Sequence, residues 1–565
     1  MQKRWAARPA PMLDIVEAAN PYNLPDSISL LLARRGFSEE KLDRFLNPDM
    51  KYLSSWKDTG GIRKAAKRII AGIENSENIL IHGDFDADGI TATTVVYLAL
   101  KSLGARVSYF IPDRFEDGYG LGKSSIEACS ASGTGLLITV DCGITGSGYV
   151  ETLRNLNIDT IITDHHLPGD VLPDAEAVVD PVLDNSHSVL AGAGVAWMVL
   201  RAVYDLMGLN DEYLLELLQL VAIGTVADVV ELTGDNRILV SEGLKVLRTK
   251  PLPGISALAE SASVNIRKIR STDIAYCIAP RLNACGRVGR ASDAVELLLA
   301  GNSEEAGKLL ETVQEHNRIR KKLDREMERH VLRKVKDLDN PKCIVMADSG
   351  WHRGVIGIVA SRLVSRFGVP SIMISIEDDE GYGSARSVPG IPIHSILTGI
   401  QAEYGLMDTL GGHPMAAGFS IPEVNIPVLR DELIRILSGD EWKNHLGSVM
   451  YVDGKLEEQD YRSETASALE KLEPFGEGNR KPIWLARGVY PVQWRAIGKN
   501  SKHLSCNFRI GSAVHRAIGF NMADSQSLFN GKVDIAFALE LDSYRGDGSL
   551  QLVLKGIRRH RKAAD

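Results

Sequence analysis

One pattern recurs through the first half of this chain: a short apolar run with the character of a β-strand ends in acidic or imidazole side chains. Helical patterns separate these runs, so the sequence predicts β-α-β units and a parallel sheet. The runs and the polar residues that follow them are Ile79–Ile81 with His82–Gly89, Leu136–Val140 with Asp141, Thr160–Thr163 with Asp164–His166, and Ala177–Val179 with Asp180.

The intervening helices are predicted over Thr91–Ser102, Ser124–Ser132 and Gly146–Asn155. In an open α/β sheet, the carboxyl ends of the parallel strands form one edge, and ligands bind there at the switch in strand order. Four separate segments therefore deliver acids and imidazoles to one place.

The carboxylates of His82–Gly89 repel one another strongly at neutral pH unless cations or hydrogen-bond donors compensate them. Taken alone, the segment fits a metal site and an acidic surface turn or helix N-cap equally well, because Asp88-Gly89 precedes a helical pattern. Its recurrence at several strand ends favours metal. Oxygen ligands with one or two imidazoles suit Mn²⁺ or Mg²⁺ better than zinc. We expect two Mn²⁺ ions bridged by Asp141, with Mg²⁺ as the alternative, in a site for phosphate ester or anhydride hydrolysis.

The length of 565 residues predicts three or four domains, and the composition of 44% hydrophobic residues with a net charge of -8 is that of a globular protein. No apolar run reaches the roughly 18 residues that a membrane span needs, and the start lacks the apolar core of a signal peptide. The six cysteines show no CxxC spacing, which predicts neither a zinc site nor a disulfide framework. We expect a soluble cytoplasmic protein that does not bind membranes.

Periodicity divides the chain into five predicted domains. They are a helical cap at 1–58, an α/β domain with a parallel sheet at 59–270, a helical linker at 271–340, a second α/β domain at 341–445 and a small β-barrel at 446–565. The linker ends in one long charged helix, Ser303–Asp339, which Asn340-Pro341 should stop. We expect this helix to bridge two domains rather than to form a coiled coil.

The C-terminal part is basic on an acidic chain, with 12 Lys or Arg against 6 Asp or Glu from Pro491 to Asp565. This charge fits a polyanion partner and, equally well, a solvated basic face.

Three further segments carry groups suited to phosphate. Arg281–Arg287 places two arginines around a predicted flexible turn, and Gly383–Ser387 offers hydroxyls and a guanidinium near glycine. Gly411–Gly418 is interpreted either as a loop that brings backbone amides and a helix N-terminus to an anion, or as a tight structural turn. Each segment taken alone is insufficient, because single arginines are more often surface ion-pair partners.

Together these motifs resemble a known family. Four segments are similar to the four motifs of the DHH phosphoesterase superfamily, namely Asp84–Gly89, Val140–Gly143, Asp164–His166 and Gly224–Val229. The domain with Gly411–His413 resembles the associated DHHA1 domain. The motif order, with Ile111–Leu121, Pro280–Asn283, Trp351–Val355 and the C-terminal barrel, resembles the RecJ family of bacterial 5′ to 3′ single-strand-specific DNA exonucleases. Two positions depart from the pattern: Cys142 stands where a more polar residue is expected, and Ala385 where glycine is usual.

The resemblance implies an α/β fold: a DHH domain with a parallel sheet, a long bridging helix, a second α/β DHHA1 domain and a C-terminal OB-fold barrel. Asp84 would support the metals or occasionally bind one, and His166 would donate a hydrogen bond beside the scissile phosphate. Six residues would hold the two Mn²⁺ ions: His82 and Asp86 one ion, Asp88, His165 and Asp228 the other, and Asp141 both.

The resemblance also implies substrate contacts. A pocket for the 5′-terminal phosphate would consist of Arg114, Ser384 and Arg386. The residues that would contact the strand are Arg281, Asn283, His352, Gly411, Gly412 and His413. In the barrel, Trp494, Lys502, His503 and Phe508 are candidates for strand binding, although Trp494 and Phe508 fit the barrel core better.

The function implied is a single-stranded-DNA-specific 5′ to 3′ exonuclease that releases 5′-mononucleotides by two-metal hydrolysis in DNA repair and recombination. Its implied partners are single-stranded DNA, a helicase and a single-stranded-DNA-binding protein, and we expect a monomer. One alternative is a DHH phosphodiesterase for small oligonucleotides or dinucleotides, which usually lacks the bridging helix and barrel. The other is a non-catalytic strand-binding scaffold, which typically loses ligands, whereas here every expected ligand position is filled.

Overall fold

The computed structural model describes residues 4–7, 22–184, 189–338, 341–542 and 548–560. The chain forms two compact units. The smaller unit consists of Met1–Ala7 and Glu315–Val452, and the larger of Arg8–Gln314 and Asp453–Asp565.

Strands and helices are interspersed up to residue 179, and the elements from residue 192 to residue 335 are all helical. In chain order they are β1 (Arg4–Ala7), α1 (Asp26–Arg34), α2 (Glu39–Leu46), α3 (Ile62–Glu74), β2 (Asn78–His82), α4 (Ala87–Ser102), β3 (Arg106–Phe110), α5 (Lys123–Ser132), β4 (Leu136–Val140), α6 (Ser147–Asn155), β5 (Asp159–Thr163), β6 (Ala177–Val179), α7 (Gly192–Leu206), α8 (Glu212–Asp228), α9 (Gly234–Thr249), α10 (Pro253–Ser261), α11 (Ser271–Asp273), a π-helical turn (Ile274–Ile278), α12 (Ala279–Val288), α13 (Ser292–Leu299) and α14 (Ser303–Val335).

The predicted parallel sheet is confirmed, with strand order β3-β2-β4-β5-β6. Every residue of β4 is buried, as expected for a strand covered on both faces. The chain leaves β2 for β3 on one side and then continues through β4 on the other. The strand order therefore switches between β2 and β4, where a crevice opens at the carboxyl edge of the sheet.

Two apolar helices, α7 and α8, pack with α4 beside this sheet. Trp197 of α7 is fully buried, and its indole Nε1 donates to the carbonyl of Leu214 at 2.8 Å. This packing fixes the starts of α4 and α7 relative to each other, which matters for the site below.

The smaller unit contains a mixed sheet of order β10-β11-β9-β8-β7, in which β7 and β8 are parallel and the other pairs antiparallel. Its elements after α14 are β7 (Ile344–Asp348), α15 (Arg353–Phe367), β8 (Ser371–Glu377), β9 (Glu380–Arg386), α16 (Ile393–Tyr404), β10 (Thr409–His413), β11 (Ala416–Pro422), α17 (Ile426–Leu437) and β12 (Val449–Val452).

A two-stranded parallel pairing of β1 with β12 departs from the predicted domain plan. Periodicity places Arg4–Ala7 in a helical cap and Val449–Val452 in the barrel domain. Neither assignment reveals this pairing, because the two strands lie 445 residues apart in the sequence.

The predicted barrel is confirmed as a closed five-stranded barrel of order β13-β14-β15-β17-β16. Its elements are α18 (Ser463–Glu470), β13 (Trp484–Ile497), β14 (His503–Ile510), β15 (Ala513–Gly519), β16 (Val533–Leu541) and β17 (Leu550–Arg559). Phe508 is fully buried, as expected, but Trp494 is 44% exposed, so its assignment to the core is wrong. A register shift between Pro491 and Gln493 interrupts the inward and outward alternation along β13.

The long helix α14 has 33 residues; it begins in the larger unit and ends in the smaller, as the predicted bridge requires. It ends at Val335, before the predicted end at Asp339; the stop predicted at Asn340 lies outside the described residues. Within the described ranges, no helix combines the length and apolar character needed to cross a bilayer.

Candidate active site

The segment from the end of β2 into the first turn of α4 places Asp84, Asp86 and Asp88 at the carboxyl edge of the sheet. Asp86 caps α4: its Oδ1 accepts hydrogen bonds from the backbone N–H groups of Asp88 at 2.9 Å and Gly89 at 3.2 Å. The helix-cap alternative is therefore correct for Asp86. Both bonds go to one oxygen, so capping the helix is compatible with a place in the aspartate cluster.

The carboxylate of Asp88 is bound by the N-terminus of α7. Its Oδ2 accepts from Gly192 N–H at 2.7 Å and its Oδ1 from Ala193 N–H at 3.1 Å. A helix N-terminus favours negative charge, so α7 orients this aspartate.

Asp141 follows β4 directly and adopts a left-handed backbone conformation with φ of 63°. This conformation is uncommon for residues other than glycine and typical of functional positions. The side chain is 2% exposed, and its Oδ1 lies 3.0 Å from His165 Nε2. A Cβ on Gly192 would lie 2.5 Å from that same oxygen, so a glycine is needed where α7 passes Asp141.

Three groups of side chains bring potential ligand atoms within 4.8 Å of one another in the part of the chain that the structure describes. They are Asp84, Asp86 and Asp141; Asp88, His165 and Asp228; and Asp141, His165 and His166. Asp141 and His165 each belong to two groups. The arrangement fits two cations with a shared ligand, built from five of the six predicted ligands together with Asp84.

His82, predicted as a ligand of the first ion, lies outside the three groups of potential ligands and has other neighbours. Its side chain is fully buried, with Nε2 2.9 Å from Ser125 Oγ of α5 and Nδ1 3.5 Å from Cys142 Sγ. Burial lowers the pKa of His82 to about 4, so the ring is neutral. The geometry favours Asp84 over His82 for the first ion, because Asp84 and not His82 lies in one of the three groups of potential ligands among the described residues.

The carboxylates need compensating positive charge. Asp84 Oδ1 is buried and has no hydrogen-bond partner among the described residues. Burial, aided by Asp86, raises the pKa of Asp84 to about 8. Burial and neighbouring carboxylates also raise the pKa values of Asp88 and Asp141 well above the usual range. Such crowded carboxylates ionise together only beside cations, and this oxygen-rich donor set suits Mn²⁺ or Mg²⁺.

His166 is oriented by two neighbours. Its Nδ1 lies 2.7 Å from Asp164 Oδ1 and 2.9 Å from the Tyr119 hydroxyl, which in turn lies 3.2 Å from the main-chain oxygen of Asp141. Burial opposes a charge on His166, but the hydrogen bond and charge of Asp164 outweigh it and raise the pKa to about 9. With Nδ1–H engaged by Asp164, the protonated ring has Nε2–H as a second donor.

The segment Arg281–Arg287 forms part of helix α12, so the predicted flexible turn is wrong. The glycine that suggested a turn serves close packing: a Cβ on Gly286 would lie 2.1 Å from the carbonyl oxygen of Phe85. Asn283 Oδ1 accepts from the backbone N–H of Ala87 at 2.9 Å, which ties α12 to the aspartate segment.

Arg114 lies beside the same segment, with its guanidinium 4.0 Å from the centre of the Phe85 ring. Burial lowers its pKa, whereas Asp84 and Asp86 favour its charged form. Arg114 and Phe85 help to line a cavity of about 270 Å³ together with Gly286 and Arg290. Of the residues predicted for the phosphate pocket, Arg114 lies in the larger unit.

The other predicted pocket residues lie together in the smaller unit. Arg386 Nη1 lies 3.0 Å from Ser384 Oγ on β9, and a Cβ on Gly357 of α15 would lie 2.9 Å from that oxygen. His352 caps α15 by accepting from Gly354 N–H at 3.0 Å. The Arg386 guanidinium and the Ser384 hydroxyl therefore lie beside the first turns of α15. This combination of groups is suited to binding an anion.

The Gly411–His413 segment is not a helix N-terminus, which corrects that interpretation. It lies in β10, the edge strand of the mixed sheet, paired antiparallel with β11. Gly412 has a φ of 144°, and a Cβ there would lie 2.3 Å from Ala416 O. Local glycine content could not distinguish a hairpin strand from an anion loop.

Three residues that contact the cluster were not predicted as site residues: Asp164, Tyr119 and Gly192. Asp164 follows a predicted strand like the other acids, and Tyr119 lies within the Ile111–Leu121 motif, so both carried a signal. The signal at Gly192 was the glycine itself, within an otherwise apolar helical run. Glycine is unfavourable in a helix, so its presence there indicates close packing.

Comparison with protein families agrees with this architecture. The chain matches the DHH family N-terminal domain over residues 78–225, the DHHA1 domain over 340–439 and the RecJ OB domain over 452–556. The sheet with its aspartate cluster, the mixed sheet and the barrel each fall largely within one of these matches.

Full-length relatives align over almost the whole chain. The single-stranded-DNA-specific exonuclease RecJ of Escherichia coli is 34% identical over 563 residues, covering 95% of this chain and 96% of the relative. RecJ of Bacillus subtilis is 33% identical, covering 98% of this chain and 70% of that protein.

Solved structures show the same fold. Thermus thermophilus RecJ in complex with Mn²⁺ superposes with a TM-score of 0.85 at 30% identity, covering 99% of this chain and 80% of that one. The same protein in complex with Mg²⁺ gives a TM-score of 0.79 at 28% identity, covering 99% of this chain and 79% of that one.

A carboxylate and histidine cluster at the switch point of a parallel sheet, joined by a long helix to a second α/β domain, defines a DHH phosphoesterase. The relatives extend this likeness through the C-terminal barrel. The chain belongs to the RecJ family of single-stranded-DNA-specific exonucleases.

Proposed function

We propose that this protein is a metal-dependent exonuclease that hydrolyses single-stranded DNA from the 5′ end and releases 5′-mononucleotides. The observation that carries the proposal is the position of Asp141 within 4.8 Å of ligand atoms from two strand ends and one helix start. That juxtaposition supports two cations held side by side, which is the arrangement used for in-line attack at phosphorus.

In this proposal Asp84 and Asp86 hold one divalent cation, Asp88, His165 and Asp228 hold the other, and Asp141 is shared between them. When bound, the two ions would activate water and stabilise the leaving oxygen. Mn²⁺ is the expected cofactor and Mg²⁺ the alternative, since the Thermus relative has been crystallised with each.

His166 would donate from Nε2–H to a phosphate oxygen of the scissile linkage. Asp164 keeps the ring protonated, and Tyr119 restrains its orientation through the hydroxyl contact at 2.9 Å. His82 would support the site from behind, through Cys142 next to Asp141, rather than as a ligand.

The 5′ polarity would come from recognition of the terminal phosphate. Ser384 and Arg386 beside the first turns of α15 form the anion site in the smaller unit, and Arg114 is the candidate in the larger unit. His352 and His413 are expected to contact the strand on the smaller unit.

The barrel would hold the strand downstream. Trp494 is exposed and lies on a groove of about 620 Å³ with Arg495, Arg516, Gln493 and Asn507. An aromatic face beside guanidinium groups suits sequence-tolerant binding of single strands. Lys502 and His503 lie at the start of β14 and are expected to add phosphate contacts.

We infer a role in DNA repair and recombination, in the bacterial cytoplasm, with a helicase to supply unwound ends and a single-stranded-DNA-binding protein to present them. These partners and a monomeric state are expectations from the family.

The test is digestion of three substrates in Mn²⁺: a 5′-labelled single strand, a 3′-labelled single strand and a labelled duplex. The proposal expects immediate release of the 5′ label as mononucleotide, progressive shortening of the 3′-labelled strand and an intact duplex. Asp141→Ala is expected to be inactive, and Asp174→Ala, a change at an exposed acid paired with Arg154, is the matched control.

Three outcomes would contradict the proposal. Duplex and single strand digested equally would exclude strand selectivity. A dinucleotide consumed while a long strand survives would favour the small-substrate phosphodiesterase. Asp141→Ala protein that digests as fast as wild type would overturn the metal assignment.

A further inference from the structure

We propose that Tyr276 is a stacking platform for one nucleobase of the bound single strand. The proposal rests on the function proposed above and adds a base contact on the larger unit, outside the metal cluster. It is carried by the exposure of the ring, by the unusual turn that presents it and by the connection of that turn to the aspartate segment.

Tyr276 is 81% exposed, and no other Tyr, Trp or Phe among the described residues has a larger exposed fraction. Between Val229 and Leu338 it is the one exposed large hydrophobic side chain among those the structure describes. It is therefore the single exposed aromatic ring that this stretch of the described chain presents. A lone exposed ring suits one planar ligand better than a protein surface.

The ring projects from a π-helical turn, Ile274–Ile278. Pro280 has no N–H to donate to the carbonyl of Tyr276 four residues earlier, so a regular α-helical bond cannot form there. Arg281 Nη1 donates to the carbonyl of the next residue, Cys277. π-Helical turns are rare and recur at functional sites. This turn places the Arg281 guanidinium next to Cys277, the residue that follows Tyr276.

The turn continues directly into α12, which contacts the aspartate segment. Asn283 accepts from Ala87 N–H at 2.9 Å, and Gly286 allows close contact with Phe85. Tyr276 precedes Asn283 by seven residues, which is roughly 10 Å along a helix axis. The distance corresponds to about three nucleotides at the spacing of stacked bases.

The charge of the surrounding sequence favours a polyanion. Residues 265–290 carry six Arg or Lys and one Asp, in a chain whose net charge is -8. Positive charge beside an exposed aromatic ring is the combination that holds single-stranded nucleic acid through both backbone and base. A nucleobase of the substrate strand is therefore the occupant that this segment fits.

The experiment compares wild type, Tyr276→Phe and Tyr276→Ala on long 5′-phosphorylated single strands in Mn²⁺. A parallel substrate series carries one abasic nucleotide at successive positions from the 5′ end. Tyr404→Ala is the matched control, because Tyr404 is an exposed tyrosine whose neighbours include the carboxylates of Glu403 and Glu432. Mn²⁺ titration and circular dichroism of each variant check folding and the metal site.

We expect Tyr276→Ala to raise KM roughly 5- to 150-fold with little change in kcat, the range that loss of one stacked base implies. Tyr276→Phe should keep the wild-type KM, since stacking needs the ring and not the hydroxyl. In wild type and Tyr404→Ala, one abasic position should weaken binding, and that penalty should vanish in Tyr276→Ala.

The inference is overturned if Tyr276→Ala keeps the wild-type KM, which would also be the result if the ring serves a protein partner. It is equally overturned if every abasic penalty persists in Tyr276→Ala. Failure of wild type to digest any single strand would instead refute the proposed function. The two failures are therefore distinguishable in one set of assays.

Discussion

Replacement of Gly192 by alanine should weaken metal binding although no proposed ligand residue is changed. The added Cβ would lie 2.5 Å from Asp141 Oδ1 and 2.7 Å from its Cγ. Ordinary contact begins at 3.4 Å, so the carboxylate must move by about 0.9 Å, the difference between 3.4 and 2.5 Å. The same residue donates its N–H to Asp88 Oδ2, so both ions should be affected.

Loss of correct ligand orientation typically lowers metal affinity about 10- to 100-fold, which corresponds to about 1.4 to 2.8 kcal/mol. Glycine in a helix costs up to about 1 kcal/mol relative to alanine, so helix propensity works in the opposite direction. Weaker metal binding by Gly192→Ala therefore cannot be attributed to a less favourable helix residue.

The assay is calorimetric titration of metal-free protein with Mn²⁺, together with exonuclease rates over a range of Mn²⁺ concentrations. We expect a weaker binding isotherm and activity partly restored by excess Mn²⁺. Gly148→Ala in α6 is the matched control, because a Cβ there meets nothing within 4 Å. Unchanged Mn²⁺ affinity in Gly192→Ala would refute the placement of Asp141 in the metal site.

Five other substitutions have defined outcomes. Asp88→Ala and His165→Ala should each abolish turnover while single-strand binding, measured by fluorescence anisotropy, persists; loss of binding in both would contradict their assignment as metal ligands. Tyr119→Phe should lower kcat about tenfold at constant KM, from loss of one hydrogen bond to His166; an unchanged kcat would show that the hydroxyl does not matter. Val229→Gly should raise the free energy of unfolding by roughly 0.5 to 1 kcal/mol in calorimetry, since Val229 has a φ of 68° and a side chain 63% exposed; a lower Tm would exclude backbone strain. Trp494→Ala should weaken strand binding by about 1 to 3 kcal/mol while leaving the hydrolysis of short oligonucleotides intact; equal affinity would place the strand elsewhere on the barrel.

Local sequence was sufficient to predict the elements and the edge of the sheet where the site lies. The strand Leu136–Val140 and the position of Asp141 after it agree with the structure to the residue. An apolar run buried on both faces and a polar residue at its carboxyl end are properties of neighbouring residues, so they can be recognised without knowing the fold.

Side-chain direction at the ends of these elements was decided by tertiary packing. His82 and Asp84 are two residues apart and both fit a metal ligand by type, yet the first contacts Ser125 and the second joins the aspartates. The neighbour that receives each side chain comes from a distant part of the chain, and residue type alone does not specify it.

By itself, the sequence determined the parallel sheet, the acidic edge, the basic barrel and the chemistry that such an edge can hold. Only the tertiary structure decided that Asp84 rather than His82 lies with the other aspartates, that Gly286 packs a helix against Phe85 and that Trp494 faces solvent. The physical reason is the range of the interactions: periodicity and capping act within a few residues, whereas close approach and burial depend on contacts between residues far apart in the chain.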